Sequence, residues 1–74
     1  MRIKVDNPVF VPSLLAFLRA FPDAAAAPHG LAEIDVALFS ALRFEARWDE
    51  VERRVTMWSK AHPEAGAMLL PPRR

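Results

Sequence analysis

Leu31-Ala32-Glu33-Ile34-Asp35-Val36-Ala37-Leu38 decides the fold of this 74-residue chain. Read as a strand, the stretch puts Ala32, Ile34 and Val36 on one face and Glu33 and Asp35 on the other, the alternation of a half-buried strand. Read as a helix, its Leu31, Ile34 and Leu38 run on through Ala41, Phe44, Trp48, Val51, Val55 and Trp58 as one stripe. The chain is then an all-α helical hairpin with a long second arm. The β-branched Ile34 and Val36, and strand-like patterning at both ends of the chain, favour the strand. The helical hairpin stays as the alternative.

Upstream, Pro28-His29-Gly30 reads as a turn, and Ala24–Ala27 as the other arm of a hairpin-like pair. Four alanines favour helix intrinsically, so these residues by themselves leave Ala24–Ala27 open between strand and helix. Before them, Pro12–Phe21 reads as a helix with Pro12 in its first turn and Leu14, Phe17, Leu18 and Phe21 as its buried stripe; Pro22 ends it. Arg2–Asp6 alternates polar and apolar residues, which marks a strand, and Asn7-Pro8 stops it.

Downstream, Leu42–His62 has helical spacing, with Trp48, Val51, Val55 and Trp58 on one face. Asp49–Arg53 and Glu50–Arg54 are i,i+4 pairs of opposite charge, expected on the wet side. His62-Pro63 ends the helix. Ala65–Leu70 is short and apolar and reads as a last strand, with 70–74 as a tail.

The order β-α-β-β-α-β makes residues 1–74 a single α+β domain of ferredoxin-like, split βαβ type: a four-stranded antiparallel sheet with two helices on one face. The sheet order 4-1-3-2 sets strand 1 beside strand 3. Arg2 and Lys4 then face Glu33 and Asp35, a favourable cross-strand pairing.

Composition narrows the functions available. A chain of this length buries only about 60% of its unfolded surface. With no Cys, neither disulfides nor a cysteine zinc site can add stability, which leaves an efficient core or oligomerisation. The net charge of +1, from ten basic and nine acidic residues, gives no bulk attraction to nucleic acid or anionic membrane. No apolar run approaches the ~20 residues of a membrane span. Asp6, Arg19, Asp23 and several prolines interrupt the N-terminal apolar stretch, unlike a secretory leader. Cytoplasmic location is the expectation. Eight Arg against two Lys, with frequent Ala, is the usage of a GC-rich genome.

Reactive groups are few. His29 reads as a turn residue and His62 as a helix end, and no spacing sets Ser13, Ser40 or Ser59 beside either. Asp49, Glu50 and Glu52 interleave with Arg53 and Arg54 as a solvated face. Gly30 and Gly66 are the only glycines, so there is no phosphate-cradling loop. The strands lack the aromatics that stack bases in RNA-binding split βαβ sheets. Catalytic, metal and cofactor residues are therefore not assigned, and the expectation is a non-enzyme without cofactor. Phe44 and Met57 flank the main stripe of the second helix. The last strand is apolar on both faces, with Met68 and Leu70 on one of them, and in this order it is an edge. Phe44, Met57, Met68 and Leu70 are the expected partner interface.

The element order resembles ferredoxin-like domains, and Val5-Asp6-Asn7-Pro8 leading into Leu14-Leu15-Ala16-Phe17-Leu18 is similar to ACT domains. That resemblance implies amino-acid sensing at a dimer interface, through a loop that typically reads Asp-x-Pro-Gly. Here Val9 follows Pro8. Heavy-metal-associated domains and acylphosphatases share the fold, but the former need a Cys pair and the latter a glycine-rich anion loop, and this chain has neither. Glu45-Ala46-Arg47 through Trp58 to His62-Pro63 is similar to short proteins of GC-rich bacteria, a likeness that implies no activity. The functional expectation is a non-catalytic interaction or regulatory module, self-associating or bound to a partner protein through its last strand and sheet. An ACT-like small-molecule sensor is the alternative.

Overall fold

The computed structural model describes residues 1–39 and 43–71. Its elements are β1 (Arg2–Val5), α1 (Val11–Arg19), β2 (Ala24–His29), β3 (Glu33–Leu38), α2 (Phe44–Ala61) and β4 (Ala67–Leu69), with a 3-10 turn over Pro8–Phe10 before α1. The strands form one antiparallel sheet in the order β2-β3-β1-β4. This is the ferredoxin-like α+β fold, and Glu33–Leu38 is a strand, not part of a helical arm. The expected helix start at Leu42, the residues Ser40 and Ala41, and the tail residues 72–74 lie outside the described residues.

β1 is central. It pairs with β3 through Arg2↔Asp35, Ile3↔Ile34 and Lys4↔Glu33, and with β4 through Ile3↔Leu69, Lys4↔Met68 and Val5↔Ala67. Because successive side chains alternate, Ile3, Val5, Ile34, Val36, Leu38 and Leu69 all face the helices and are buried. Leu14, Leu18, Val51, Val55 and Trp58 complete this core from α1 and α2. The cross-strand charges fall in the expected register.

The stripe of α1 differs from expectation. Val11, Leu14, Leu15 and Leu18 are buried, at i, i+3, i+4 and i+7, whereas Phe17 is half-buried and Phe21 lies beyond the helix end. The helix starts one residue before Pro12, so Val11 joins the face that covers the sheet. Phe17 and Phe21 instead meet edge to face, with ring centroids 5.3 Å apart.

Ala24–Ala27 is strand despite its helical propensity. β3 supplies the ladder, and Ala24 and Ala26 pack on the core. The strand runs on through Pro28 and His29, and the turn falls at Gly30, whose φ is +68°. β3 accordingly begins at Glu33 and not at Leu31. The last strand is also shorter than Ala65–Leu70. Gly66 adopts φ +64°, and the Ala65 N–H turns back to the His62 carbonyl at 3.1 Å.

Arg54 departs most from its expected place. It is buried, 9% exposed, not on the wet side of α2. Its Nη1 and Nη2 donate to the two Asp23 carboxylate oxygens at 3.0 and 3.1 Å, and its Nε donates to Glu50 Oε2 at 2.9 Å. The guanidinium lies 4.2 Å from the centre of the Phe21 ring. A planar fork with five donors suits this combination of bidentate pairing and stacking. Arg53 pairs with Glu50, three residues back, and not with Asp49. The Arg54 hydrogen bond holds the Asp23 carboxyl below the usual carboxylate range, against a smaller opposing effect of burial.

Two outcomes test these contacts. A Cβ at position 66 would lie 2.6 Å from Asp6 Oδ2 and 2.7 Å from Asp6 Cβ, whereas one at position 30 meets nothing within 4 Å. In urea unfolding, Gly30→Ala should cost about 1 kcal/mol for left-handed backbone alone, and Gly66→Ala about 2–3 kcal/mol with the clash added. The second concerns acid. Because the folded pKa of Asp23 is depressed, its stabilisation is present above the unfolded value and is lost as pH falls through the folded one. Asp23→Asn should lower the urea midpoint at neutral pH and flatten the part of the acid decline that lies below the ordinary value of 3.8.

Candidate functional site

The face of the sheet away from the helices is built by the same alternation that builds the core. It carries Arg2 and Lys4 from β1, Glu33 and Asp35 from β3, Ala25, Ala27 and His29 from β2, and Met68 from β4. Arg2 Nε donates to Asp35 Oδ1 at 3.0 Å and lies 3.5 Å from Glu33 Oε1. His29 Nδ1 is 3.4 Å from Asp35 Oδ2. The Arg2 hydrogen bond lowers the Asp35 pKa, with desolvation opposing it. These side chains are roughly half exposed, so solvent screens each pair and its contribution to stability is small. They organise the centre of the face and consume its charge.

At one end of this face the chain forms an open depression of about 640 Å3. Arg2 and Asp35 supply its charged wall, Phe44 and Trp48 reach it from the start of α2, and Leu70 and Pro71 come from the chain after β4. Trp48 Nε1 donates to the Leu70 carbonyl at 3.3 Å, tying the end of β4 to α2.

The two edges of the sheet differ. On β4, the Leu70 N–H donates to the Arg2 carbonyl at 2.9 Å and the Asp6 N–H to the Gly66 carbonyl at 3.2 Å. In an antiparallel ladder, alternate residues of a strand bond opposite neighbours. Gly66, Met68 and Leu70 therefore bond β1, and the N–H and C=O groups of Ala67 and Leu69 point out from the sheet. Among the described residues nothing hydrogen-bonds them.

On β2, the Phe39 N–H donates to the Asp23 carbonyl at 2.8 Å, so the outward residues are Ala24, Ala26 and Pro28. Here the edge is guarded. The Ala24 N–H donates to the Phe21 carbonyl at 3.2 Å, Arg19 Nε donates to the Ala26 carbonyl at 3.0 Å, and Pro28 has no N–H to offer. Proline and charged side chains are the usual devices that blunt an edge.

Of the expected interface residues, Met68 is 58% exposed and lies on the outer face in register with Lys4. Leu70 is half-buried and shares the depression with Phe44, which is 42% exposed. Met57 is 55% exposed but stands on α2, in the layer covering the opposite side of the sheet from Met68. One flat contact cannot take both methionines. Spacing puts Trp48 in the buried stripe of the second helix, and its hydrogen bond to Leu70 has no sequence signal.

The histidines are occupied elsewhere. His62 stacks on Trp58, centroids 4.2 Å apart, meets Phe10 edge to face, and has Nδ1 3.0 Å from the Trp58 carbonyl. Ser59 Oγ is buried, has no hydrogen-bond partner among the described residues and is not paired with it. In the Asn7–Val11 segment, Asn7 Oδ1 accepts from the Val9 N–H at 3.2 Å and the Phe10 N–H donates to the Asn7 carbonyl at 3.1 Å. The turn thus closes on its own backbone donors. Among the described residues no three His, Asp or Glu groups cluster to hold a metal ion, and no helix is long and apolar enough to cross a membrane.

No family model, curated protein or solved structure matches this chain.

The Trp48 contact makes a measurable difference to β4. Losing one hydrogen bond of about 1 kcal/mol should raise local opening about fivefold. In Trp48→Phe, the Leu70 amide should exchange with deuterium faster by that factor, while the Val36 amide, bonded to the Met1 carbonyl at 2.8 Å, stays unchanged.

Proposed function

We propose that the domain is a non-catalytic interaction module that associates through β4 and the adjoining outer face of the sheet. The observation that carries this reading is the contrast between the edges. Phe21, Arg19 and Pro28 guard β2, while β4 presents, among the described residues, unbonded backbone groups at Ala67 and Leu69 beside an exposed Met68. An unguarded apolar edge is a template for another strand. The outer-face charges compensate one another around Arg2 and Asp35, which leaves the apolar end at Met68 and Leu70 as the surface that gains most from being covered. A cysteine-free chain of this kind suits work in the cytoplasm, which we take as part of the reading.

Association should therefore depend on Met68 while folding does not. Light scattering after gel filtration, over a range of concentrations, should show an assembly for the wild type, alone or with its partner. Met68→Lys should weaken that assembly at least tenfold while the dissociated chain keeps the wild-type circular dichroism; some loss of thermal midpoint is expected, because the new charge lies opposite Lys4 and the assembly no longer stabilises the fold. An assembly untouched by Met68→Lys would show that another surface is used.

A further inference from the structure

We propose that the occupant of the β4 edge is a second copy of this chain, paired strand to strand about a two-fold axis through Met68. The inference rests on the reading of β4 as the association surface and goes further by naming the partner and the register.

The edge is complementary to itself. Ala67 and Leu69 both turn their N–H and C=O groups outward, and Met68, between them, turns its own toward β1. When two such strands meet antiparallel with Met68 opposite Met68 of the second copy, Ala67 of each falls opposite Leu69 of the other. Both of those pairs are of the hydrogen-bonded type, so all four outward donors and all four outward acceptors are used. A register centred on Ala67 or on Leu69 leaves part of the edge unpaired. The Met68 pair is of the close, non-hydrogen-bonded kind, and two exposed thioether side chains cover each other on the outer face.

Charge does not oppose the contact. β4 carries none, and the nearest like charges on the outer face are the two Lys4 side chains, each in register with Met68. They stand three strand spacings apart, about 14 Å.

The assembly also closes. Pairing through β4 gives an eight-stranded sheet whose two outer edges are both β2, and those are the edges that Phe21, Arg19 and Pro28 protect. One open edge and one guarded edge define a dimer and not a filament. A foreign strand would fill the edge equally well, but it would have no reason to match the symmetry about Met68.

Cysteine cross-linking reads the register directly, because the chain has no Cys of its own. In the proposed dimer the Cα atoms at position 68 are about 4.5 Å apart, within disulfide reach. Those at position 4, about 14 Å apart, are not. Met68 and Lys4 are both exposed, so neither replacement touches the core. Under mild oxidation Met68→Cys should form disulfide dimers at least tenfold faster than Lys4→Cys, and the cross-linked protein should keep the wild-type circular dichroism. A dimer by light scattering in which Met68→Cys links no faster than Lys4→Cys overturns the register and leaves association through another part of the surface. A wild-type chain that stays monomeric up to millimolar concentration, with no preferential cross-link, overturns the second copy as occupant; a host protein that then associates and is lost with Met68→Lys keeps the interaction reading.

Discussion

The row Ile34–Ile3–Leu69 is the constraint on which the domain depends. Three side chains from three adjacent strands lie side by side, all buried, all on the helix side of the sheet. Sliding any one strand by a residue would send its whole apolar set to the outer face, so this row fixes the register of β1, β3 and β4 together. The charges follow automatically. With Ile3 opposite Ile34, Arg2 must meet Asp35 and Lys4 must meet Glu33. Core and charged face are two readings of one alternation.

Much of this was legible because it is local. Ile34 and Val36 alternating with Glu33 and Asp35 marked β3, and the polar residues of Arg2–Asp6 marked β1; their opposite signs agreed with the strand order. Arg54 was not legible. Four residues after Glu50 it has the spacing of a surface pair, and only the fold brings Asp23 and Phe21, far back in the chain, over its guanidinium. Val11 was missed because Pro12 marked the helix start one residue late, and Leu15 because Phe17 and Phe21 also lie at helical spacing from Leu14 and Leu18, so spacing alone does not say which side of α1 meets the sheet. Ala24–Ala27 became strand because β3 offered a ladder, which outweighs an intrinsic preference of well under 1 kcal/mol per residue.

The candidate surface was legible in the same uneven way. Phe44 flanks the α2 stripe by spacing, whereas β4 is apolar on both faces and its register with Lys4 is what puts Met68 on the exposed one. The grouping of Phe44 with Leu70, and the separation of Met57 from Met68, depend on how α2 lies over the sheet. Which backbone groups of β4 face outward was beyond the sequence altogether, since that parity is set by the bonds β1 makes. Arg19 and Pro28 carry the complementary lesson. One is an ordinary helix-end cation and the other a turn former until β2 is seen to be an edge, and then both are guards.

The central place of β1 has a consequence for synthesis. It is made before the strands that flank it, yet both of its bonding edges are satisfied only later, by β3 and then by β4 more than sixty residues downstream. At translation rates of about 5–20 residues per second, several seconds pass between the appearance of β1 and that of β4. During that interval Ile3 and Val5 are an exposed apolar segment with no neighbour on the β4 side. Arg2 and Lys4, interleaved with them, are charges of the kind that flank unavoidable apolar strands and disfavour adhesion between unfinished chains.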